Sequence, residues 1–419
     1  MNNKKLQIGI FGFGTVGQSL YEVLEKSPST RAAIHTIVAR EPTKQRSISA
    51  ASLQFDAEAI LNCPEIDTVV ELIDNDKEAL EIATKALSKG KNLVTGNKKM
   101  IAENLEAILQ LQKKTGKSML YDASACGSIP VIRNLEEYYD NDLLQNITGI
   151  LNGSSNYILT QMHRHHKGYR EALREAQIKG FAESDPTFDV DGFDAMYKLI
   201  ILTLHGFGTI VKPENVFFSG ISGISPDDIQ FAKEKSMKIK LIAKVSKLPD
   251  NQIVLYVMPA FINSKNYLYN VDDEFNGVII EGNAYDEQLM FGKGAGGHPT
   301  GSAVLSDISA LSHQYKYEYK KFHLPQTPKL SHDVELKMYF RYHKPEALDQ
   351  LPLQSIEEQY IGQNYSYTIG TVKLADLLIN KEKLRKFVVF MALREINHLN
   401  NITKSASLNY HHSKLAQTN

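Results

Sequence analysis

Apolar residues in the first third of the chain follow two different spacings. Short runs rich in β-branched residues predict five strands, at residues 6–11, 33–40, 67–73, 92–97 and 118–124. Between them, segments 15–27 and 77–90 repeat apolar residues at helical spacing, and Gly90 fits a helix C-cap. Strands that alternate with helices form right-handed βαβ units. The pattern therefore predicts an α/β fold that begins with a parallel sheet.

The pattern changes after about residue 145. Segment 146–162 predicts a strand, a polar glycine turn and the start of a helix, and segment 169–180 predicts a helix stopped by a glycine. β-like runs follow between residues 254 and 291, and stretch 292–312 places a glycine-rich loop before a long helix. This mixture favours an α+β second domain. Residues 325–330 have the composition of a linker, and residues 335–419 are expected to form a separate small unit.

Size and composition narrow the class of protein. A chain of 419 residues exceeds what one hydrophobic core usually supports, so two or three domains are expected. The formal net charge of -1 creates no field that would recruit nucleic acid or acidic membranes, and no apolar run is long enough to span a bilayer. Two cysteines, Cys63 and Cys126, are too few for a disulfide framework and fit a reducing compartment. We expect a cytoplasmic protein with no nucleic-acid and no membrane partner.

The motif GFGTVG at residues 12–17 fits the pattern G-x-G-x-x-G. It follows a predicted strand and opens a predicted helix, which is the context of a dinucleotide-binding turn. Gly12 permits the tight turn and Gly14 lets the backbone approach a pyrophosphate, which the N–H groups of the helix start would bind. Gly17 allows close packing of the helix on the strand. The stretch predicts a Rossmann domain for NAD(P), with cofactor contacts at Gly12, Phe13, Gly14, Thr15, Val16 and Gly17.

The end of the second predicted strand bears on cofactor choice. Enzymes that use NAD commonly place an acid there for the ribose hydroxyls, but this chain has Arg40, with Lys44 and Arg46 nearby. A guanidinium pairs well with a 2′-phosphate, which favours NADP(H). Because the acidic Glu41 follows Arg40 directly, NAD(H) is also expected as a cofactor. An exposed arginine without a ligand is the alternative interpretation of Arg40.

The stretch ESDPTFDVDGFDAMYK at residues 183–198 crowds five carboxylates before a lysine. A calcium loop that places Gly192 at its sixth position would need a bidentate glutamate where Lys198 stands, so calcium is excluded. Asp194 and Lys198 are four residues apart on a predicted helix and share one face. They form either an exposed ion pair of little consequence or, because the helix continues as the apolar run LIILTL, a buried pair that a site uses.

Six motifs in order carry a resemblance to the homoserine dehydrogenase family: GFGTVG, TGNKKMIA, YDASACGSIPVI, GILNGSSNYIL, GFAESDPTFDVDGFDAMYKLIIL and GKGAGGHPTGSAVLSDI. They span residues 6 to about 315. The resemblance implies the reversible, NAD(P)H-dependent reduction of L-aspartate 4-semialdehyde to L-homoserine, in threonine, methionine and isoleucine biosynthesis. It also implies a homodimer or homotetramer, and a monofunctional enzyme because no aspartate-kinase domain precedes the motifs.

The same resemblance implies three domains. Residues 1–130 would be the NAD(P)-binding Rossmann domain, completed by a helix at about 298–320. Residues 131–297 would be an α+β catalytic and dimerisation domain. Residues 335–419 would be a C-terminal ACT-like α+β domain of βαββαβ order. That stretch lacks the glycine-centred turn that binds an amino-acid effector in ACT domains, so we expect feedback by threonine to be lost or altered.

Site roles follow from the resemblance residue by residue. Lys198 matches the proton donor to the carbonyl oxygen, Asp194 its partner for the substrate hydroxyl, and Lys98 a lysine near nicotinamide and substrate. Glu183 matches the carboxylate that binds the α-ammonium group, and Asp189 is a second substrate contact. Gly180 and Gly296 match glycines whose backbone lines the cofactor. A Na+ or K+ loop would use backbone carbonyls of Asp122, Ala125, Gly127 and Ile129, although the family usually has glutamate at position 122.

These roles agree with the chemistry of the reaction. Hydride delivery to an aldehyde creates an alkoxide, which a protonated lysine stabilises and protonates. The reverse oxidation needs the neutral lysine as base, so we expect it to accelerate as pH rises.

The residues leave two rival functions open. Cys126 would be the nucleophile of an acylating semialdehyde dehydrogenase, although no suitably spaced histidine base accompanies it. A cofactor-sensing module without turnover is the second rival. The HRHH run at residues 163–166 lacks an added carboxylate or cysteine, so an exposed polar cluster is favoured over a metal site.

Overall fold

The computed structural model describes residues 5–41, 45–46, 48–49, 52–363, 365–384 and 388–396. The chain divides into two compact units, residues 1–330 and residues 331–419. Within the described residues, no helix combines the length and the apolar character that a membrane crossing requires.

The first unit begins with a parallel sheet whose described strands run in the order β2-β1-β3-β4-β5. The strands are β1 (Leu6–Phe11), β2 (Ala32–Val38), β3 (Thr68–Glu71), β4 (Asn92–Thr95) and β5 (Met119–Leu120). The helices between them are α1 (Thr15–Glu25), α2 (Glu58–Leu61), α3 (Asp76–Ser88), α4 (Lys98–Glu103) and α5 (Leu105–Thr115). Because the strand order reverses between β1 and β3, the loops after these strands open a crevice at the carboxyl edge of the sheet.

The chain then builds a second sheet in the order β11-β10-β6-β8-β9, in which neighbouring strands are antiparallel. Its strands are β6 (Leu144–Ile150), β8 (Met237–Leu248), β9 (Gln252–Asn263), β10 (Phe275–Gly282) and β11 (Asp286–Lys293), while β7 (Phe217–Phe218) and β12 (Lys329–Leu330) pair with β9 in parallel. The helices are α6 (Ala123–Cys126), α7 (Val131–Glu137), α8 (Gly153–His165), α9 (Tyr169–Ile178), α10 (Thr187–Val190), α11 (Phe193–Phe207), α12 (Pro226–Glu234) and α13 (Gly297–Ser312).

Two helices position the site. In α11 every residue from Asp194 to Phe207 is buried, as expected for a helix that is apolar nearly all round and packed on several sides. Helix α13 packs closely on α1, since a Cβ at Gly297 would lie 2.4 Å from the Ser19 hydroxyl and one at Gly301 would lie 2.9 Å from the Leu20 nitrogen. The glycines of α13 therefore allow this helix to pack directly against α1.

The second unit contains β13 (Glu335–Tyr342), a 3-10 helix (Pro345–Gln350), β14 (Leu353–Ile361), β15 (Ser366–Lys373), α14 (Leu374–Leu384) and β16 (Val388–Ile396). Its strands form an antiparallel sheet in the order β16-β13-β15-β14. The order of elements is βαββαβ with the first helix shortened to a 3-10 segment. Residues 397–419 of the expected C-terminal domain lie outside the described residues.

The predicted fold class is confirmed. The first sheet is parallel, and the rest of the first unit combines helices with a largely antiparallel sheet. Strand ends were less accurate: stretch 118–124 holds only the two-residue strand β5, because Ala123 already begins α6. The long helix predicted to reach residue 320 ends at Ser312. The predicted linker contains β12, whose residues pair with Gln252 and Ile253 of β9.

Candidate active site and cofactor cleft

The three glycines of the first turn have distinct surroundings. Gly12 has a φ of 91°, and a Cβ there would lie 2.5 Å from the carbonyl oxygen of Leu72. A Cβ at Gly17 would lie 2.3 Å from the carbonyl oxygen of Gly12, so only glycine lets α1 pack this closely on the turn. A Cβ at Gly14 would meet no atom within 4 Å, and no side chain caps the helix start. The turn therefore leaves open backbone at the place where a pyrophosphate would approach.

A cleft of about 1030 Å³ lies over this turn. Arg40, at the end of β2, lines it and forms an ion pair with Glu78 of α3. The Arg40 side chain is 72% exposed, so it is free to reorient toward a ligand. Arg46 lines the same cleft, whereas Lys44 lies outside the described residues. Of the turn residues predicted to contact the cofactor, five line the cleft: Gly12, Phe13, Gly14, Thr15 and Val16. Gly17 does not line it and packs against the Gly12 carbonyl instead.

An adjoining cleft of about 670 Å³ shares Val16, Ile73 and Glu183 with the first. It brings together residues that are far apart in the sequence. All seven of the following predicted site residues line it: Lys98, Gly180, Glu183, Asp189, Asp194, Lys198 and Gly296.

Asp194 and Lys198 form a buried ion pair at this second cleft. The Lys198 Nζ lies 2.8 Å from Asp194 Oδ2, and it also donates to the backbone carbonyl of Leu151 at 2.7 Å. The two side chains are only 2% and 7% exposed. An ammonium group has three donors, and the described residues accept two of them from Lys198. One N–H of Lys198 therefore has no acceptor among the described residues. The low exposure of both side chains shows that the pair is buried rather than exposed.

Lys98 reaches the same carboxylate from another helix. Asn97 caps α4 by accepting a hydrogen bond from Met100 N at 3.0 Å, which fixes Lys98 as the first helical residue. The Lys98 Nζ lies 2.9 Å from Asp194 Oδ1 and 5.3 Å from the centroid of the Phe188 ring. Its side chain stays 33% exposed, so Lys98 stands at the surface of the cleft while Lys198 is at its base. Lys99 also lines this cleft, but it pairs with Asp76 rather than with Asp194.

Opposite charges set the protonation states of this group. Burial alone would raise the pKa of Asp194, but the Lys198 and Lys98 ammonium groups lower it well below its usual range. Burial likewise opposes the charge on Lys98, and Asp194 nevertheless raises the pKa of Lys98. Burial and the neighbouring Asp194 charge raise the pKa of Asp189.

Two polar residues of the site were not singled out from the sequence. Asn152 caps α8, accepting from Ser155 N at 2.8 Å, while its Nδ2 donates to Asp189 Oδ1 at 2.7 Å and to Asp194 Oδ2 at 2.9 Å. Ser154 donates to Asp189 Oδ2 at 3.2 Å. The signal for both was the polar turn NGSS between a strand and a helix, which is the usual position of capping side chains.

The acidic stretch divides into two groups. Glu183 is exposed and lines both clefts, and Asp189 and Asp194 lie in the second one. Asp191 points elsewhere and accepts from the Ser222 hydroxyl at 3.1 Å. Asp185 lines the second cleft but is exposed and accepts from Thr187 N at 3.1 Å. Four of the five carboxylates thus line the second cleft, and Asp191 is the exception.

Gly180 and Gly296 border the second cleft, and both have positive φ angles. Gly180 has a φ of 74° and ends α9, with Gly180 N donating to Gln177 O at 3.0 Å and Phe181 N to Ala176 O at 2.8 Å. Gly296 has a φ of 117° and precedes α13. Both positions place backbone at the cleft in conformations that favour glycine.

The buried carboxylate of Glu71 connects the loop after β3 with the end of β4, and the residues that follow both strands line the second cleft. Glu71, at the end of β3, is fully buried, accepts from the Thr95 hydroxyl at 2.5 Å and accepts from Ile73 N at 2.6 Å. Asn97 donates from Nδ2 to Ile73 O at 3.1 Å, so the loop after β3 is tied to the loop that carries Lys98. Burial raises the pKa of Glu71 to about 7, against the effect of its two hydrogen bonds.

The predicted cation loop contains a tight turn. Gly127 has a φ of 55°, and a Cβ there would lie 2.6 Å from the carbonyl carbon and oxygen of Gly294. The Asp122 side chain is turned to protein, because Oδ1 accepts from Arg133 N at 3.2 Å. The Ile129 carbonyl accepts from Val131 N at 2.8 Å. A carbonyl oxygen has two lone pairs, so this bond still leaves room for a cation.

Neither Cys126 nor the histidine run has, among the described residues, the surroundings that a nucleophile or a metal site requires. Cys126 is fully buried, and burial raises the pKa of its thiol to about 12, which opposes formation of a nucleophilic thiolate. His166 lies 3.0 Å from the Lys233 ammonium, and the described residues place no converging carboxylate or cysteine ligands around the run at 163–166.

Comparisons with known proteins agree with this geometry. A family model described as "Homoserine dehydrogenase" matches residues 130–309, and one described as "Homoserine dehydrogenase, NAD binding domain" matches residues 12–122. A homoserine dehydrogenase of Helicobacter pylori is 33% identical over 413 residues, covering 95% of this chain and 97% of that protein.

Solved structures show the same likeness. A homoserine dehydrogenase from Thiobacillus denitrificans has a TM-score of 0.82 at 28% identity, covering 93% of this chain and 98% of that one. A hyperthermophilic archaeal homoserine dehydrogenase in complex with NADPH has a TM-score of 0.63 at 27% identity, covering 75% of this chain and 99% of that one. The comparisons give the acylating semialdehyde dehydrogenase interpretation of Cys126 no support.

Proposed function

The chain belongs to the homoserine dehydrogenase family, and we propose that Lys198 is the proton donor of its reaction. The reaction is the NAD(P)-dependent, reversible reduction of aspartate 4-semialdehyde to homoserine, a step of amino-acid biosynthesis. The observation that carries the proposal is the buried Lys198 ammonium, fixed by Asp194 and the Leu151 carbonyl with one donor to spare.

Bound NAD(P)H supplies the hydride. Lys198 stabilises the oxygen that becomes an alkoxide and gives it a proton. Asp194 accepts from both lysines and from Asn152, which uses three of the roughly four acceptor positions of a carboxylate. The fourth would accept from the hydroxyl of homoserine. In the oxidative direction Lys198 acts as the base, so that direction accelerates as pH rises.

Glu183 and Asp189 bind the α-ammonium group of the substrate in this proposal, and Lys98 faces the nicotinamide and the substrate. The support is electrostatic. Glu183 is exposed at the opening shared by both clefts, and Asp189 is held in place by Asn152 and Ser154. An amino-acid substrate would thus enter with its cationic end against carboxylates and its aldehyde toward Lys198.

Arg40 selects NADP(H) over NAD(H) through the 2′-phosphate. The exposed guanidinium already pairs with a carboxylate at the cleft, and a phosphate would compete for the same donors. Gly12, Phe13, Gly14, Thr15 and Val16 would contact the cofactor directly. Gly17 would act by packing, and Gly180 and Gly296 by offering backbone.

A Na+ or K+ ion at the loop of Asp122, Ala125, Gly127 and Ile129 is a further part of the proposal. Backbone carbonyls are hard oxygen ligands, and the tight turn at Gly127 lies within this loop. The aspartate at 122 contributes through its backbone, since its side chain is engaged by Arg133 N.

The chain is divided, in this proposal, into a Rossmann domain at 1–130 completed by α13, a catalytic and dimerisation domain at 131–297, and an ACT-like domain at 335–419. A homodimer or homotetramer is expected, and sedimentation would measure it. Within residues 335–361 the only segment between the first two strands is a short 3-10 helix without glycine. We expect weak or altered threonine feedback, and strong inhibition by threonine in the activity assay would contradict this.

The deciding experiment follows NADPH and NADH oxidation with aspartate semialdehyde in the wild type and in Lys198→Ala. We expect turnover to collapse in Lys198→Ala while cofactor binding survives. The exposed Lys212, just beyond α11, supplies the control Lys212→Ala. Undiminished turnover in Lys198→Ala would mean that the proton donor lies elsewhere.

A further inference from the structure

Three side chains with metal-binding atoms converge on the first sheet, outside the two clefts. The Cys63 Sγ lies 3.0 Å from Glu65 Oε2 and 4.0 Å from His35 Nε2, and all three ligand atoms lie within 4.8 Å of one another. In the described part of the chain, no other group of three or more His, Cys, Asp and Glu residues converges in this way. His35, Cys63 and Glu65 do not line either cleft.

The backbone places His35 at this point through an irregularity of the sheet. In the pairing of β1 with β2, Ile8 faces Ile34 and Gly9 faces Thr36, so His35 is the extra residue of a β-bulge. A bulge redirects the side chain of its extra residue and is uncommon in parallel sheets. The His35 Nδ1 lies 2.8 Å from the Thr36 hydroxyl, which leaves Nε2 to face the cysteine.

The segment that carries the other two side chains is also fixed. The buried Lys91 donates to the carbonyl of Cys63 at 2.5 Å and to that of Ile66 at 2.8 Å. The loop before β3 is therefore tied at both of its ends to one side chain. The Lys91 ammonium binds the backbone of the loop, while the Cys63 thiol faces Glu65.

We propose that His35, Cys63 and Glu65 bind a divalent transition metal ion of the zinc class. Thiolate, imidazole and carboxylate are the ligand types of zinc, and ligands at bond lengths of 2.0–2.3 Å around a tetrahedral ion stand about 3.5 Å apart. The present separations of 3.0 and 4.0 Å lie on either side of that value. Three protein ligands leave the fourth position to water.

Binding of the metal ion releases one proton. The Cys63 thiol, which now donates to Glu65, gives its proton to solvent as the metal–sulfur bond forms, and no electron is transferred. The ion would join β2 to the loop before β3. Arg40 follows the carboxyl end of the same strand. Because a folded chain holds the three ligands together and an unfolded one does not, binding raises the stability of the fold.

The full-length protein, stripped with a chelator, is titrated with Zn2+ by calorimetry and with Co2+ by absorption. We expect one ion per chain, release of one proton, a thiolate-to-cobalt charge-transfer band and a higher melting temperature with Zn2+. In Cys63→Ser the band disappears, and the affinity for Zn2+ falls by about a hundredfold. His35→Gln weakens binding but keeps the band.

The buried Cys126 provides the matched control Cys126→Ala, which should keep both the band and the Zn2+ affinity. A Co2+ complex of the wild type without the charge-transfer band overturns the proposal. Equal Zn2+ affinity of the wild type and Cys63→Ser overturns it as well. Loss of the band in Cys126→Ala would place the metal at the wrong cysteine.

Discussion

Asp194 holds Lys198 one helical turn away in the protein interior, with 2.8 Å between Asp194 Oδ2 and Lys198 Nζ. Lys98 reaches the other oxygen of the same carboxylate at 2.9 Å from a different helix. A single buried carboxylate therefore fixes two ammonium groups in space. Either cation would be costly in this position without it.

Replacing Asp194 by asparagine should impair both activity and stability. The change leaves two neighbouring lysines without a counter-charge, so we expect turnover to fall by about a hundredfold or more and the free energy of unfolding to fall by roughly 3 kcal/mol. Steady-state kinetics and urea unfolding measure the two effects. Asp191 belongs to the same acidic stretch but bonds to Ser222, so Asp191→Asn is the control that should leave both quantities nearly unchanged. Wild-type turnover in Asp194→Asn would remove the carboxylate from the mechanism.

Glu71 should make stability depend on pH near neutrality. Its pKa rises from 4.5 to about 7, mainly through burial, with small further increases from Asp74 and Glu78. The folded protein thus keeps a proton that the unfolded chain has already released. The resulting stabilisation is complete below about pH 4.5 and is lost as pH rises to about 7, and it amounts to about 3 kcal/mol.

Glu71→Gln tests this relationship because glutamine keeps the shape and stays neutral. We expect urea unfolding of Glu71→Gln to lose the decline in stability that the wild type shows over that pH interval. Glu106 is an exposed glutamate of α5, and Glu106→Gln should keep the decline. An unchanged slope in Glu71→Gln would mean that Glu71 is ionised across the whole interval.

Interactions between residues close in sequence were predictable, and those between distant residues were not. The Gly12–Gly17 turn and the Asp194–Lys198 pair depend on spacings of a few residues, which the strand and helix periods determine. Lys98 and Asn152 meet Asp194 only because the fold brings α4 and α8 to α11. Without the family resemblance, nothing in the local pattern points to those contacts.

The same distinction holds for the rest of the fold. Strand β8 alternates lysine with apolar residues, which is a local strand signal. The convergence of His35 with Cys63 and Glu65 depends on a bulge in β2, which no periodicity announces. Backbone irregularities and long-range contacts are set by tertiary packing.

Arg40→Gln should change the choice of cofactor. If the guanidinium binds the 2′-phosphate, its loss removes charge-assisted hydrogen bonds worth about 1.5–3 kcal/mol, so kcat/KM with NADPH should fall roughly 10- to 100-fold. The value with NADH, which lacks that phosphate, should change little. Arg31 is also exposed, and Arg31→Gln should leave both values near those of the wild type. Equal losses with both cofactors would assign Arg40 a role in orientation rather than in phosphate recognition.

Two alanine substitutions in the first turn should separate packing from cofactor binding. In Gly17→Ala the new methyl group would lie 2.3 Å from the Gly12 carbonyl oxygen, so the turn must shift, and we expect the free energy of unfolding without cofactor to fall by roughly 1–3 kcal/mol. In Gly14→Ala the methyl group meets no atom within 4 Å and the backbone has a φ of -83°, so stability should stay near the wild-type value.

Cofactor affinity should separate the same two variants, because the Gly14 methyl group would occupy the space through which a pyrophosphate approaches the helix start. Urea unfolding without cofactor and fluorescence titration with NADPH measure the two properties on each variant. We expect Gly14→Ala to lose affinity at unchanged stability, and Gly17→Ala to lose both because its turn is displaced. Wild-type affinity for NADPH in Gly14→Ala would mean that the pyrophosphate does not approach the backbone at Gly14, and the placement of the cofactor over this turn would then be wrong.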